Sequence, residues 1–210
     1  KLRVVAPSVG GAFGSKLNVY AEELIAVALA RRLGTATRWT EGRSENAVAT
    51  IHGRGQLQHM ELAADADGKV TAVRARLTAD MGAYMQLVTP GIPLLGAFLY
   101  HGVYDVPAYH FECTGVFTNC TPTDAYRGAG RPEATYALER AMDSLARAVG
   151  VDGPEIRRRN YIPPDKFPYE SSAGLTYDSG NYEPTLDRAL EMAGYDDLRA
   201  EQQRRRDAGD

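Results

Sequence analysis

Two glycine-rich loops constrain what this chain can fold into more than any other feature. The first is Ser8-Val9-Gly10-Gly11-Ala12-Phe13-Gly14-Ser15-Lys16. The second is Thr123-Asp124-Ala125-Tyr126-Arg127-Gly128-Ala129-Gly130-Arg131. Glycine admits positive φ and lets backbone amides approach a ligand closely. Such amides hold phosphate or oxo oxygens, above all beside a helix N-terminus. The first loop is not a P-loop, because Lys16 follows Ser15 and precedes Leu17, and it contains no Gly-x-Gly-x-x-Gly. Taken alone its signal is weak, and a tight turn between a strand and a helix is the commoner reading. The second loop repeats the design with Arg127 and Arg131 flanking it, and arginine at a helix start is an anion site. Its plain alternative is a turn with two surface arginines. Both loops in one chain point to a large anionic cofactor held across several backbone segments.

The pattern between the loops predicts an α+β fold of mixed sheets with packed helices. Residues 2–6 are mostly apolar, with β-branched Val4 and Val5, and predict a short strand ended by Pro7. Glu22–Leu33 predicts a helix with acids at its start, Arg31 and Arg32 at its end, and Gly34 as cap. Residues 35–41 predict another strand. Residues 55–84 predict a long hairpin turning at Asp65-Ala66-Asp67-Gly68-Lys69, with Val73, Ala75, Leu77, Ala79 and Met81 on one face and Arg74 and Arg76 on the other. Residues 85–105 predict an irregular buried stretch, and 109–118 a strand. Pro132 opens a helix to about Val149, with Leu138, Met142, Leu145 and Val149 as its buried stripe. A short helix through Asn160 follows. The loop 161–182 is anchored by its tyrosines, and a helix covers Pro184–Ala193. Residues 196–210 are expected to be a charged, disordered tail. Strands and helices mix without a βαβ rhythm, which separates this pattern from a doubly wound sheet.

Charge and composition exclude several classes. The 24 basic and 27 acidic residues give a net charge of −3, without the basic field of a nucleic-acid binder. Arg157-Arg158-Arg159 is balanced by nearby acids and reads as a solvated helix face. No apolar run approaches the ~20 residues of a membrane helix. Cys113 and Cys120 lack zinc spacing and are too few for a disulfide framework, so a cytoplasmic protein with reduced thiols is expected. His52, His59, His101 and His110 are scattered, with no metal signature. The chain opens on Lys1 inside a strand-like pattern, which suggests a fragment of a longer subunit.

The residues also resemble a known family. Gly10-Gly11-Ala12-Phe13-Gly14-Ser15-Lys16, Asp80-Met81-Gly82-Ala83-Tyr84, Thr118-Asn119 and Ala125-Tyr126-Arg127-Gly128-Ala129-Gly130-Arg131-Pro132-Glu133-Ala134 are similar, in order, to the molybdopterin-binding large subunit of the molybdenum hydroxylases. That family includes xanthine dehydrogenase, aldehyde oxidases and the aerobic carbon monoxide dehydrogenase large subunit. Arg157-Arg158-Arg159-Asn160 and Tyr177-Asp178-Ser179-Gly180 resemble its later landmarks. The resemblance covers nearly the whole chain and makes residues 1–195 part of a molybdopterin-binding domain.

The resemblance implies molybdenum held by the dithiolene of a pterin, often in a cytosine dinucleotide form in bacteria. It implies that Gly11, Ala12, Phe13 and Gly14 touch the cofactor. Arg127 is then the catalytic candidate beside metal and substrate, and Gly128, Ala129 and Gly130 line the site with amides. The implied activity is hydroxylation of an aldehyde or heteroaromatic substrate with water-derived oxygen. Iron–sulfur and FAD subunits or domains are the implied electron partners, and a homo-oligomer belongs to the same expectation.

Departures from the family pattern narrow this. The copper-binding cysteine of the carbon monoxide-oxidising type would follow Arg127, where Gly128 stands, so the resemblance is to relatives without that cysteine. The glutamate of purine-oxidising members would follow Lys16, where Leu17 stands. The Gly-Glu-Pro segment with the general base and the upstream glutamine loop are both absent from the sequence. The isolated chain is therefore expected to be inactive. The alternatives are a non-catalytic cofactor-binding or scaffolding relic of the same fold, and an unrelated ligand-binding α+β domain whose two loops would lie far apart.

Overall fold

The computed structural model describes residues 2–209. Helix α1 (Ala21–Leu33) and helix α2 (Arg43–Ala49) precede strands β1 (Gln56–Ala64) and β2 (Val70–Gly82). Helix α3 (Gly91–Ala97), strand β3 (Ala108–Phe117), helix α4 (Arg131–Val149) and helix α5 (Gly153–Asn160) follow. Two short strands, β4 (Tyr169–Glu170) and β5 (Thr176–Tyr177), lead to helices α6 (Glu183–Ala193) and α7 (Tyr195–Ala208). The larger sheet has the order β1-β2-β3, and β4 pairs antiparallel with β5. This is the α+β mixture expected. The residues group into two units: 1–59, 75–100 and 111–137 in one, 60–74, 101–110 and 138–210 in the other.

The first unit carries both glycine-rich loops. Leu77, Ala79 and Met81 of β2 pack with Phe111 and Cys113 of β3. The alternation of small and large apolar residues along β2 puts them on one face, as a period of two requires. Gly115 admits Met81, whose Cε would lie 2.6 Å from a Cβ at that position. Helix α1 is held at its ends: the Tyr20 amide donates to the Glu23 carboxylate at 3.1 Å, and Gly34, at φ 67, closes the last turn. Helix α2 was not anticipated. Its signal is Glu45, whose carboxylate accepts the Gly42 amide at 2.7 Å, so that a glycine takes the cap position usually filled by Ser or Asp.

The strands expected over 2–6 and 35–41 do not form. Leu2, Val4 and Val5 are exposed, and neither described sheet includes either segment. β-branched composition favours a strand only where a neighbouring strand takes up the backbone donors and acceptors. The expected irregular stretch 85–105 contains α3, which buries Ile92, Pro93 and Gly96.

The second unit is built on the inner face of α4. Leu138, Met142 and Ala146 pack with Val70, Val73, Tyr104, Val106 and Ile156. The turn between β1 and β2 is fixed by the Asp65 carboxylate, which accepts the Asp67 and Lys69 amides at 3.0 and 2.9 Å. Asn160 is fully buried and bridges that turn to α5. Its Oδ1 accepts the Val70 amide at 2.7 Å, and its Nδ2 donates to the Gly68 and Ile156 carbonyls, each at 2.9 Å. The loop tyrosines act as anchors: Tyr161 stacks on Tyr104 at 5.8 Å, and the Tyr177 hydroxyl donates to the Gly102 carbonyl at 2.9 Å. Each arginine of 157–159 has an acidic partner, in Glu139 and Asp143, Asp187, and Glu155 respectively.

The segment expected as a disordered charged tail is instead helical as α7; Asp210 lies outside the described residues. Its charges fall at helical spacing. Asp196 and Asp197 open it, Arg205 and Arg206 close it, and Glu201 pairs with Arg205 at 2.7 Å. Tyr195 and Arg199 both engage the Asp152 carboxylate, which ties the helix down.

Two outcomes are expected. Asn160→Ala strands a buried amide and a buried carbonyl and should lower unfolding free energy by about 3 kcal/mol in urea denaturation. Burial pushes the Tyr177 phenol up to about 12 from 10.0. Because the folded value lies above the unfolded one, its stabilisation is complete below pH 10 and is lost as pH rises toward 12. Tyr177→Phe should flatten that part of the alkaline unfolding curve.

Candidate functional site

The site lies in the first unit, where the two glycine-rich loops meet. In the first loop Gly10, Gly11, Phe13 and Gly14 all have positive φ, at 71, 108, 54 and 108°. The Ser15 amide donates to the Ala12 carbonyl and the Leu17 amide to the Gly14 carbonyl, both at 3.0 Å. The Lys16 ammonium folds back onto the Val9 carbonyl. The loop runs into a single 3-10 turn at Ser15–Leu17, and α1 begins only at Ala21. The first loop therefore lacks the adjoining helix N-terminus that its sequence position suggested.

The second loop does open onto a helix. Gly128, Ala129 and Gly130 have φ of 101, 49 and 89°, and α4 starts at Arg131. The Ala129 amide donates to the Tyr126 carbonyl at 2.8 Å and the Arg131 amide to the Gly128 carbonyl at 3.2 Å. Gly130 is buried under α3, where a Cβ would lie 1.9 Å from the Ile92 carbonyl oxygen.

Backbone joins the loops. The Arg127 amide donates to the Phe13 carbonyl at 2.9 Å, and a Cβ on Gly14 would lie 1.6 Å from the Ala125 carbonyl oxygen. The Arg127 guanidinium sits 5.7 Å from the Phe13 ring centroid, a cation–π arrangement. The expectation of an unrelated domain with distant loops is thus overturned. Phe13 is 57% exposed, and among the described residues Arg127 has no carboxylate partner. An exposed cation lying beside a ring and two runs of positive-φ backbone is suited to an oxygen-rich anion.

Buried polar groups support the second loop from below. Asp124 is fully buried, and its Oδ2 accepts the Val88 amide at 3.0 Å. Thr89, also fully buried, donates from Oγ1 to the Thr123 carbonyl at 2.7 Å. Thr123 in turn donates to the Asp80 carbonyl at 2.6 Å, and Thr118 to the Asp80 carboxylate at 2.7 Å. The sequence landmarks around Asp80 and Thr118 therefore meet. Asn18, beyond the first loop, accepts the Leu87 amide on Oδ1 at 3.0 Å, while its buried Nδ2 has no partner among the described residues. Asp124 and Thr89 gave no sequence signal beyond a loop acid and a turn threonine. Glu133 was legible only as a first-turn acid, yet it is buried and paired with Arg54 at 2.9 Å. Burial, with the Glu133 carboxylate adding to it, raises the Tyr100 phenol above its ordinary range.

His52 meets the second loop through its backbone, its carbonyl accepting the Asp124 amide at 3.0 Å. His52 bonds the Ala47 carbonyl at 2.9 Å and His59 faces Arg76 at 3.2 Å. Among the described residues no three His, Cys, Asp or Glu side chains cluster as a metal site. Both cysteines are free thiols, and burial raises that of Cys113. No helix among the described residues is long and apolar enough to cross a membrane.

Two glycine loops joined through backbone, an arginine beside a phenylalanine ring and a buried polar network make up the candidate site of this α+β chain. The chain belongs to the molybdopterin cofactor-binding domain family, whose model matches residues 1–161. It is 39% identical over 211 residues to a carbon monoxide dehydrogenase large chain of Afipia carboxidovorans, covering 99% of this chain and 26% of that one. It is 36% identical over 209 residues to a nicotine 6-hydroxylase large subunit of Paenarthrobacter nicotinovorans, covering 98% of this chain and 25% of that one. The fold matches the crystal structure of quinoline 2-oxidoreductase from Pseudomonas putida 86 with TM-score 0.90 and 38% identity, over 97% of this chain and 26% of that chain. The chain thus spans about a quarter of the length of these relatives.

Gly14 and Gly130 have no room for a methyl group and lie at positive φ. Gly14→Ala or Gly130→Ala should each cost about 3 kcal/mol, from overpacking together with left-handed strain. Denaturant titration reads the loss. Gly10→Ala is the control, since nothing lies within 4 Å of a Cβ there, and only its φ of 71° opposes the change.

Proposed function

We propose that this chain is the molybdopterin-cofactor-holding segment of a molybdenum hydroxylase large subunit that oxidises an aldehyde or heteroaromatic carbon with water-derived oxygen. The observation that carries the reading is the Arg127 guanidinium, held beside Phe13 at the junction of the two loops without a carboxylate partner among the described residues. When bound, the cofactor supplies the redox centre at which the substrate carbon is oxidised.

The chain's own residues hold and orient. Gly11, Ala12, Phe13 and Gly14 present backbone and one aromatic face to the cofactor. Gly128, Ala129 and Gly130 shape the second loop on which Arg127 is carried, with the Ala129 amide committed to the Tyr126 carbonyl. Arg127 orients substrate and stabilises negative charge as it develops, where a preorganised donor acts most strongly. Phe13 keeps water from one side of that guanidinium. A cytosine dinucleotide form of the cofactor fits the same donor-rich loops, because its diphosphate adds anionic oxygens. Electrons leave through iron–sulfur and FAD partners in the cytoplasm.

A heteroaromatic substrate is favoured by the likeness to a nicotine 6-hydroxylase and to a quinoline 2-oxidoreductase. The copper route of carbon monoxide oxidation is disfavoured by backbone as well as by composition. Gly128 lies at φ 101, and a Cβ there would come 2.4 Å from Pro132 Cγ, so a cysteine does not fit this loop as it stands.

Replacing Arg127 with Ala in the full-length subunit should lower turnover by roughly 100- to 1000-fold, equivalent to about 3–4 kcal/mol. Melting should hardly change, because an exposed side chain contributes under about 0.5 kcal/mol. Steady-state kinetics on the heteroaromatic substrate, alongside a thermal melt, checks both halves. Wild-type turnover in the variant would reduce Arg127 to a loop residue.

A further inference from the structure

Arg54 grips the second loop at several points. Its backbone takes φ 73, a left-handed conformation uncommon outside glycine. The preceding Gly53 allows the approach, since a Cβ there would lie 2.9 Å from Tyr126 Cβ. Held in this way, the guanidinium lies over the Tyr126 ring, 4.9 Å from its centroid. Its Nη2 donates to the Arg127 carbonyl, and its Nη1 donates to Glu133 Oε2 at 2.9 Å. One side chain therefore touches the residue before Arg127, the Arg127 backbone, and the first turn of α4 beyond the loop.

Glu133 explains why the grip is firm. It is only 8% exposed, and its second oxygen, Oε1, is buried without a partner among the described residues. A carboxylate this deep takes its ion-pair partner from Arg54, and removing that partner leaves a buried polar group uncompensated. The planar fork of arginine can serve a carboxylate and a carbonyl together; a lysine ammonium on its flexible stem has no matching fork. A non-glycine residue at positive φ carries strain that the surrounding structure must hold in place. Here that strain lies one contact away from Arg127.

We propose that Arg54 is the positioning residue of this site. Through Glu133 and the Arg127 carbonyl it sets the backbone of 126–130, and with it the direction of the Arg127 side chain. This rests on the cofactor-site reading of Arg127 given above. Arg54 acts through Arg127 and is not itself a catalytic residue.

The test uses the full-length subunit in its assembled enzyme, with the variants Arg54→Met, Arg54→Lys and Arg54→Met/Glu133→Gln. The double variant removes the stranded carboxylate and so preserves the fold better than Arg54→Met alone. Hydrogen exchange is followed at the Arg127, Ala129 and Arg131 amides, each bonded to a backbone carbonyl of the two loops. Molybdenum content, kcat and KM are measured on the same samples. In the double variant these amides should exchange at least about tenfold faster, reflecting local opening of the loop. In the loaded enzyme kcat should fall by about a hundredfold with a smaller change in KM, as misplacement of a group at the reacting centre produces. Arg54→Lys should recover only part of both, and it carries the test if the double variant fails to fold. Wild-type exchange at the three amides overturns the proposal. So does faster exchange accompanied by wild-type kcat and KM, which would leave Arg54 a structural staple. Absence of molybdenum from the wild-type enzyme would sink the cofactor reading instead, and the exchange rates would still decide whether Arg54 sets the loop.

Discussion

The site depends on one close approach of backbone to backbone. The Ala125 carbonyl lies where a Cβ of Gly14 would be, and the Arg127 amide donates to the Phe13 carbonyl at 2.9 Å. Only a residue without a side chain allows that distance, and only a positive φ turns the first loop to meet it. Once the contact forms, Phe13 and Arg127 have little freedom left. The ring and the guanidinium are brought together by main-chain geometry, and the cation–π contact follows from it. The chemistry proposed for Arg127 is thus set by residues that carry no chemistry themselves.

Around this contact the polar groups form a graded support. Asp124 and Thr89 are fully buried and bond backbone groups, so they shape the second loop without facing a ligand. Glu133 is buried too, but its ion pair with Arg54 reaches the loop from the helix side. Buried polar networks of this kind are costly when partly satisfied and rigid when complete. Among the described residues Glu133 Oε1 and Asn18 Nδ2 are buried without a hydrogen-bond partner, and both sit close in sequence to a glycine-rich loop.

Membership of the molybdopterin cofactor-binding family explains why such a site occurs on an α+β scaffold of this kind. Relatives that act on different molecules share this fold. A frame shared in this way leaves differences in chemistry to the residues set on it. Positions 17 and 128, where this chain carries Leu and Gly, are where such differences are expected to act.

By itself the sequence determined the elements whose signals are local. The alternation of Val73 to Met81 specified β2, the dipole charges and Gly34 specified α1, and Pro132 with the Leu138–Met142 stripe specified α4. Each depends on side chains within a few positions of one another. The two glycine loops and Arg127 were legible for the same reason. Tertiary structure decided what depends on partners distant in the chain. Residues 2–6 have strand composition but join neither described sheet, and Leu2, Val4 and Val5 lie exposed. The charged segment after Tyr195 becomes a helix because its charges pair and Asp152 holds it. The Arg54–Glu133 pair joins residues 79 positions apart, and nothing local to either residue specifies the other. Contact across such a separation exists only after the intervening chain has folded, which is why the sequence named the loops and only the fold revealed what holds them.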